Sequence, residues 1–263
     1  DGYVVPAVAV TDELENIEFG MKGEFLDRTL RINASIYWSE ITDLQVARFD
    51  PSNVAFLVFM ENVGDADSNG IDIDFQWAPT NNLTISGAAS FLDTEITRLN
   101  PQLQGVAVPV GSELPLAPDF SGNLRARYDF EMPSMGANAY VTGSVTYRGT
   151  SLAGIVGSAA FMDDTSLLAY GRTSGLGMES EGGNFGTVAD STGSLPANTR
   201  FVNESATVLS ASAGIMKDSW LAEGYVKNIT SQEGAVVQTA GKFTPEATVN
   251  RPRTIGVRLS YRF

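Results

Sequence analysis

Residues 253–263 read RTIGVRLSYRF, and from Thr254 onward apolar and polar side chains alternate without a break. Successive side chains of a β-strand point to opposite faces, so this segment has one apolar and one polar face. About ten such residues cross a bilayer as a tilted strand, with the apolar face toward lipid and the polar face toward a wet interior. A strand of a soluble β-sandwich shows the same alternation, so the rest of the chain must decide between the two.

Eight further segments repeat this alternation, and the sequence predicts nine antiparallel strands in all. The predicted strands are residues 17–25, 30–38, 71–77, 83–91, 120–130, 139–148, 207–215, 220–229 and 254–263. The eighth has the least regular pattern, because Glu223 and Lys227 share the parity of Leu221 and Tyr225.

Connections between the predicted strands alternate between short turns and long loops. Long loops are expected at residues 41–69, 97–119, 150–203 and 230–250, and the apolar stretch 54–60 is expected to extend a strand beyond the membrane. Outer-membrane barrels sort their connections in this way, with short periplasmic turns and long extracellular loops. Loops longer than about 15 residues are uncommon in compact soluble domains. The sequence therefore predicts an all-β, antiparallel transmembrane β-barrel.

The number of predicted strands is odd, whereas single-chain bacterial barrels have even counts. Nine strands therefore indicate the C-terminal part of a larger barrel, which alone would have two unpaired edges. The sequence begins at Asp1, with neither an initiator methionine nor a signal peptide. Because an outer-membrane protein needs export, we expect an N-terminal region that is missing here. Residues 1–263 are accordingly interpreted as one partial barrel domain.

Composition narrows the range of functions. The 263 residues include neither cysteine nor histidine and carry a formal net charge of −14. Disulfides and thiolate metal ligands are therefore excluded, and the usual general base and usual metal ligand are missing. Phosphate contacts need clustered lysine and arginine, so no nucleic-acid partner is expected. No run of 18 apolar residues occurs, as a membrane helix would need.

Five stretches resemble the C-terminal half of TonB-dependent receptor barrels. They are EFGMK at 18–22 with LDRTLRINA at 26–34, ENVGDA at 61–66 with GIDID at 70–74, LPLAP at 114–118, KNIT at 227–230, and PRTIGV at 252–257 leading into the last strand. Each motif alone has low specificity. Their order and spacing across nearly the whole chain make the resemblance specific.

The resemblance implies the last nine strands of a 22-stranded barrel in the cell outer membrane of a Gram-negative bacterium. It also implies an N-terminal plug domain and a segment that contacts the TonB energy-coupling complex, neither of which lies in this sequence. The implied function is active uptake of a scarce, large solute such as a ferric siderophore, cobalamin or an oligosaccharide. The cargo would bind at the extracellular loops, and outer-membrane lipid and lipopolysaccharide would surround the barrel.

Two other functions fit part of the sequence. A passive outer-membrane channel or adhesin barrel without a plug would show the same strands. The region upstream of Asp1 discriminates, because a plug-sized region favours the receptor and a signal peptide followed directly by strands favours the channel. A soluble all-β binding module fits the alternation but not the sorting of loops by length.

Residues 65–70 read DADSNG, which matches the first half of an EF-hand calcium loop. The twelfth position of that loop should be a bidentate glutamate, and here it is Gln76. No helices are predicted on either side, and residues 71–77 are predicted to form a strand. The preferred interpretation is a polar loop that leads into this strand, and no metal site is predicted.

The longest predicted loop contains paired acids at Asp163 and Asp164 and at Glu179 and Glu181. Paired carboxylates can perform acid–base chemistry on sugars, but nothing in the sequence fixes their separation here. The glycine-rich stretch 182–186 is not followed by the Lys-Ser/Thr of a phosphate-binding loop. We therefore predict no catalytic residue, no cofactor and no enzyme activity.

Five arginines are predicted to face the interior of the barrel. They are Arg125, Arg127, Arg148, Arg258 and Arg262. These side chains could contact an anionic cargo. Alternatively they pair with acids that are predicted to face the same interior, namely Asp72, Asp74, Asp129 and Glu223. Pairing across the interior is the preferred expectation.

Overall fold

The computed structural model describes residues 9–50, 57–101, 110–152, 178–179, 200–233, 235–239 and 246–263. These residues are almost entirely β-strand. The strands are β1 (Glu13–Phe25), β2 (Leu30–Asp50), β3 (Leu57–Thr80), β4 (Leu83–Leu99), β5 (Phe120–Met132), β6 (Ala137–Arg148), β7 (Ser151–Leu152), β8 (Met178–Glu179), β9 (Arg200–Asn203), β10 (Ala206–Lys217), β11 (Trp220–Lys227), β12 (Ala235–Thr239), β13 (Glu246–Val249) and β14 (Thr254–Tyr261). A 3₁₀ turn, Pro133–Met135, connects β5 to β6.

Nine of these strands form one sheet in the order β1-β2-β3-β4-β5-β6-β10-β11-β14. Every neighbouring pair is antiparallel. Within the described residues β1 and β14 do not pair with each other, so the barrel is partial and open. The predicted fold class and the nine predicted strands are confirmed. No helix among the described residues has the length and apolar character needed to cross a membrane.

The two faces of the sheet differ in polarity along most of its height. Large apolar side chains cover one face and stay accessible, with exposed fractions of 45% for Leu124 and 69% for Leu259. The opposite face is polar and lines a concavity of about 590 Å³, with Glu18, Asp72 and Asp74 among the lining residues. We call these the outer and the inner face. Apolar side chains on the outside and polar side chains on the inside are the arrangement of a membrane barrel.

Register explains the irregular pattern of β11. Trp220, Ala222, Gly224 and Val226 pair with the outer-face residues of β14, whereas Glu223 pairs with Arg258. Leu221 and Tyr225 therefore face inward with the charged residues of their strand. The outer side of β11 carries mostly small side chains, which is why hydrophobicity alone gives the wrong parity there.

The first two long loops are shorter than predicted. β2 continues to Asp50, β3 begins at Leu57 and β4 continues to Leu99, so most of the predicted loop 41–69 and the start of loop 97–119 are strand. Residues 57–60 of the apolar stretch 54–60 do extend a strand, and residues 54–56 lie outside the described part. Loop 230–250 contains the β12–β13 hairpin, and loop 150–203 contains β7, β8 and β9.

We call residues 13–16, 39–50, 57–68 and 92–99 the upper extension, and the remaining part of the nine-stranded sheet the belt.

Candidate functional site

The upper extension reverses the polarity of the belt. On its outer face, carboxylates occupy neighbouring register positions, where Glu40 pairs with Asp67 and Asp67 with Glu95. On its inner face, Val63 and Ile96 are almost completely buried. Leu44, Val46, Leu99, Leu114 and Leu152 pack around these two residues. The inner face therefore has a small apolar core where the belt below it has polar side chains.

Residues 110–119, which we call the strap, fold along the free edge of β4. The backbone amide of Ile96 donates to the carbonyl of Ser112 at 2.8 Å, and the amide of Leu92 donates to the carbonyl of Asp119 at 2.9 Å. The amide of Leu114 donates to the Thr94 hydroxyl at 3.0 Å. These bonds satisfy the edge of β4 above Phe120, where β5 begins. The strap is thus a fixed part of the upper extension.

Glu61 is an acid buried within the upper extension. Its side chain lies in β3 opposite Val46 and has an exposed fraction of only 1%. Burial raises the pKa of the Glu61 carboxyl above its usual value, because a low-polarity environment disfavours the charged form.

Arg98 connects three strands of the upper extension. Its Nε donates to Asp65 Oδ2 and its Nη2 to Asp65 Oδ1 at 2.7 Å. The same Nη2 donates to Asp43 Oδ1 at 3.1 Å, and the backbone amide of Asp43 donates to Asp65 Oδ1 at 2.9 Å. The hydrogen bonds from Arg98 hold the pKa of the Asp65 carboxyl below its usual value. The planar guanidinium group is suited to bidentate contact of this kind with a carboxylate.

Asn62 ties the residues before β1 to this cluster. The amide of Val10 donates to Asn62 Oδ1 at 2.7 Å, and Asn62 Nδ2 donates to the carbonyl of Val10 at 2.8 Å and of Asp43 at 2.5 Å. Gly64 permits the close strand approach, since a Cβ there would lie 1.8 Å from the Arg98 carbonyl oxygen. We call Arg98, Asp65, Asp43 and Asn62 the Arg98 cluster.

Charged residues on the inner face of the belt form a second network. Arg127 Nη2 lies 2.7 Å from Asp129 Oδ1, and Arg258 Nη1 lies 3.4 Å from Glu223 Oε1. The Tyr140 hydroxyl donates to Glu223 Oε2 at 2.6 Å, and the Arg127 guanidinium lies 3.7 Å above the Tyr140 ring. The tyrosine crosses β10 at Gly214, where a Cβ would lie 2.5 Å from the ring. These contacts link β5, β6, β11 and β14 on the inner face of the belt.

The predicted pairing of inward arginines is thus found for Arg127 and Arg258. Asp74 instead accepts two hydrogen bonds from the Asn33 amide, at 2.8 and 3.1 Å. Within the described residues, neither Arg125 nor Asp72 has an oppositely charged group within 4.0 Å. Among the described residues, some charged side chains on the inner face of the belt are therefore paired with opposite charges and others are not.

The calcium-loop resemblance at residues 65–70 does not correspond to a loop. The segment is continuous strand within β3, so its side chains alternate between the two faces, and Asp65 is already bonded to Arg98. No group of three acidic, histidine or cysteine residues that could hold a metal ion is found within the described residues. The preferred interpretation of a polar loop was wrong as well.

The loop acids cannot be placed in the same way. Asp163, Asp164, Glu181 and the glycine-rich stretch 182–186 lie outside the described residues, and Glu179 belongs to the two-residue strand β8. Sequence reasoning also missed the Arg98 cluster. In the sequence, residues 61–66 stand out for the family resemblance and Asp65 also for the calcium-loop match, whereas Arg98 falls in the predicted loop 97–119 with no predicted partner.

Comparison with known proteins places the chain among receptors. The family model described as TonB dependent receptor-like, beta-barrel matches residues 13–229. The metal-pseudopaline receptor CntO of Pseudomonas aeruginosa is 29% identical over 119 residues, covering 45% of this chain and 15% of that protein. The probable TonB-dependent siderophore receptor PiuA of Acinetobacter baumannii is 30% identical over 87 residues, covering 33% of this chain and 11% of that protein.

Solved structures share the fold. The ferric yersiniabactin uptake receptor FyuA from Yersinia pestis has a TM-score of 0.64 at 14% identity, covering 96% of this chain and 30% of that chain. The siderophore receptor PiuA from Acinetobacter baumannii has a TM-score of 0.59 at 18% identity, covering 94% of this chain and 28% of that chain. The chain therefore spans less than a third of these relatives' length.

Proposed function

Because the chain belongs to the TonB-dependent receptor-like β-barrel family, we propose that it forms part of an outer-membrane receptor for active uptake of a scarce, large solute. Residues 1–263 would be one segment of the receptor's barrel domain, the last nine of 22 strands. A plug domain and a TonB-contacting segment would belong to the full-length receptor.

One structural observation carries the proposal, namely the reversal of face polarity between the belt and the upper extension. A belt that is apolar outside and polar inside suits lipid on one side and water on the other. The upper extension is acidic outside, which suits surrounding water. It is apolar inside, which suits an ordered surface packed above the lumen. A receptor needs both parts, since recognition usually belongs to loops held on a rigid scaffold.

A ferric or other metal chelate is the cargo that we favour over cobalamin or an oligosaccharide. The relatives named above bind metal-pseudopaline, ferric yersiniabactin or siderophores by their descriptions. The cargo would bind above the upper extension, at the strap and the neighbouring segments. The partners would be the TonB energy-coupling complex, through the plug-bearing region, and the lipid and lipopolysaccharide around the belt.

The test is uptake by cells that carry or lack the full-length gene. The panel consists of ⁵⁵Fe complexes of yersiniabactin, a catecholate and a hydroxamate siderophore, with labelled cyanocobalamin and a maltooligosaccharide. We expect deletion to abolish uptake of one ferric complex, complementation to restore it, and loss of TonB to abolish it as well. Uptake that persists without TonB would indicate the passive channel, and unchanged uptake of the whole panel after deletion would contradict the proposal.

A further inference from the structure

We propose that Arg98 is the positioning residue that holds the upper extension and the strap in one orientation relative to the belt, and thereby presents the cargo-binding surface. This inference rests on the proposed function, because it names the residue that orients the same surface. Arg98 itself is not placed in contact with cargo.

Arg98 lies where five chain segments meet. They are the segment before β1 at Val10, β2 at Asp43, β3 at Asn62 and Asp65, β4 at Arg98 itself, and the strap through the bond from Ile96 to Ser112. Two residues beyond Arg98, the amide of Asn100 donates to the carbonyl of Val63 at 2.8 Å. A shift at this point would therefore move the hairpin formed by the upper parts of β2 and β3 together with the strap.

Strand pairing is irregular at this same height. The register of β2 against β3 shifts between Ile41 and Leu44, and that of β3 against β4 shifts between Asp65 and Ala66. Bulges bend a strand and weaken the ladder locally. Backbone pairing alone therefore fixes the direction of the hairpin less firmly than it fixes the belt, and the side chains of the Arg98 cluster add the missing constraint.

The charges in the cluster make the guanidinium necessary. One nitrogen of Arg98 lies within 3.1 Å of an oxygen of each carboxylate, Asp43 and Asp65. Without the cation these two carboxylates repel each other across the bulge. Lysine cannot replace the function fully, because a single ammonium group does not provide two parallel donors to Asp65.

The side chains of Arg98, Asp43 and Asp65 are 53%, 37% and 19% exposed. Water and salt therefore screen their interactions in part. The cluster is suited to set an orientation rather than to hold the barrel together. We accordingly expect substitution of Arg98 to alter the geometry of the upper extension while the belt stays folded.

The first experiment measures orientation without cargo, in the full-length receptor in membranes. Spin labels are attached at Met60→Cys on the upper extension and at Val141→Cys on the outer face of the belt. Pulsed electron paramagnetic resonance then records the distribution of distances between the two labels. Both native side chains are exposed, 47% for Met60 and 46% for Val141. We expect one narrow distribution for the parent receptor and a clearly broadened one for Arg98→Gln.

Three further variants sharpen this measurement. Arg98→Lys should broaden the distribution less than Arg98→Gln, and Arg98→Gln combined with Asp65→Asn should narrow it again by removing the repulsion. Arg28→Gln is the matched control, since Arg28 is 87% exposed at a short turn and lies 3.9 Å from Glu24. An Arg98→Gln distribution identical to that of the control would overturn the proposal. If Arg98→Gln does not accumulate in the membrane, Asp65→Asn is measured instead. A distance distribution identical to that of the Arg28→Gln control would then overturn the proposal.

The second experiment measures uptake of the ferric complex that the panel identifies. Arg98→Gln should raise the half-saturating concentration by about tenfold while maximal uptake stays within about twofold, because misorientation weakens binding more than translocation. Equal loss of maximal uptake at unchanged half-saturation would overturn the positioning role. If no panel compound is transported by the parent, the proposed function fails, and the distance measurement still decides the role of Arg98.

Discussion

The belt and the upper extension are built from the same strands with opposite polarity. In the belt, Ile71 on β3 lies on the accessible outer face while Asp72 faces the concavity. A few residues further up the same strand, Asp67 faces outward and Ala66 is completely buried inside. Strand formation therefore does not depend on which face is apolar. The belt has lipid outside and water inside, whereas the upper extension has water outside and packed chain inside. These surroundings decide which face of a strand is apolar at each height.

The largest expected effect is that of a charge on the outer face of the belt. Leu124→Arg should destabilise the full-length receptor by about 3 kcal/mol, the cost of an arginine near the middle of the lipid layer. Glu95→Arg, on the outer face of the upper extension, should change stability by less than about 0.5 kcal/mol. Guanidinium unfolding in lipid vesicles measures both, and similar losses for the two variants would refute the contrast between the levels.

A cavity in the apolar core of the upper extension should have the next largest effect. Ile96→Ala removes a side chain with an exposed fraction of 2% and should destabilise the strap by about 2 kcal/mol. Hydrogen exchange should then accelerate at the Gly111 amide, which donates to the Ile96 carbonyl. Ile255→Ala on the outer face of the belt is the control. If Gly111 stays protected in Ile96→Ala, the strap does not depend on this core.

The polar network inside the belt should show a smaller effect. Tyr140→Phe removes the donor to Glu223 and should cost about 1 kcal/mol, the usual net value of one hydrogen bond. Tyr147→Phe, on the outer face of the same strand, should cost less. Unfolding midpoints of the two variants in vesicles provide the comparison. A smaller loss for Tyr140→Phe than for Tyr147→Phe would show that the inner network adds little stability.

The smallest expected effect concerns acid pH. Because Arg98 lowers the pKa of Asp65 in the folded state, this carboxylate contributes stability above its unfolded pKa of about 3.9. The contribution is lost as pH falls through the folded pKa. Asp65→Asn should therefore weaken the upper extension at pH 7, by about 0.5 kcal/mol for a partly exposed pair, and match the parent once the pH is below the folded pKa of Asp65.

Hydrogen exchange of β3 and β4 amides at both pH values measures this difference. The buried Glu61, whose pKa is raised, has the opposite sign, since its protonation favours the folded state. Glu40→Gln is the matched control on the same outer face. A pH-independent difference between Asp65→Asn and the parent would contradict the ion-pair account.

Sequence reasoning predicted the belt well because each face of a belt strand meets one kind of surroundings throughout. Alternation then keeps one phase, as in residues 30–38 and 83–91, and nine strands could be counted. The same reasoning ended β2 and β4 too early, because Glu40 and Glu95 occupy the apolar parity. When the whole strand is assumed to lie in the membrane, a switch of the apolar side chains from one face to the other looks like the end of the strand.

The Arg98 cluster could not be predicted for a different reason. Arg98 is 33 residues from Asp65 and 55 from Asp43 in the sequence. Which residues meet depends on two register shifts, and a bulge carries no alternation signal. Gly64 carried a weak signal, since a glycine within a strand often marks close backbone approach, but nothing in the sequence identified its neighbour.

The open order of the sheet has a practical consequence. β1 and β14 each present a row of backbone donors and acceptors with no neighbouring strand among the described residues. Such rows act as templates for other chains. Expressed on its own, residues 1–263 should therefore stack through these two margins into insoluble assemblies, and longer versions that supply the neighbouring strands should remain dispersed in detergent.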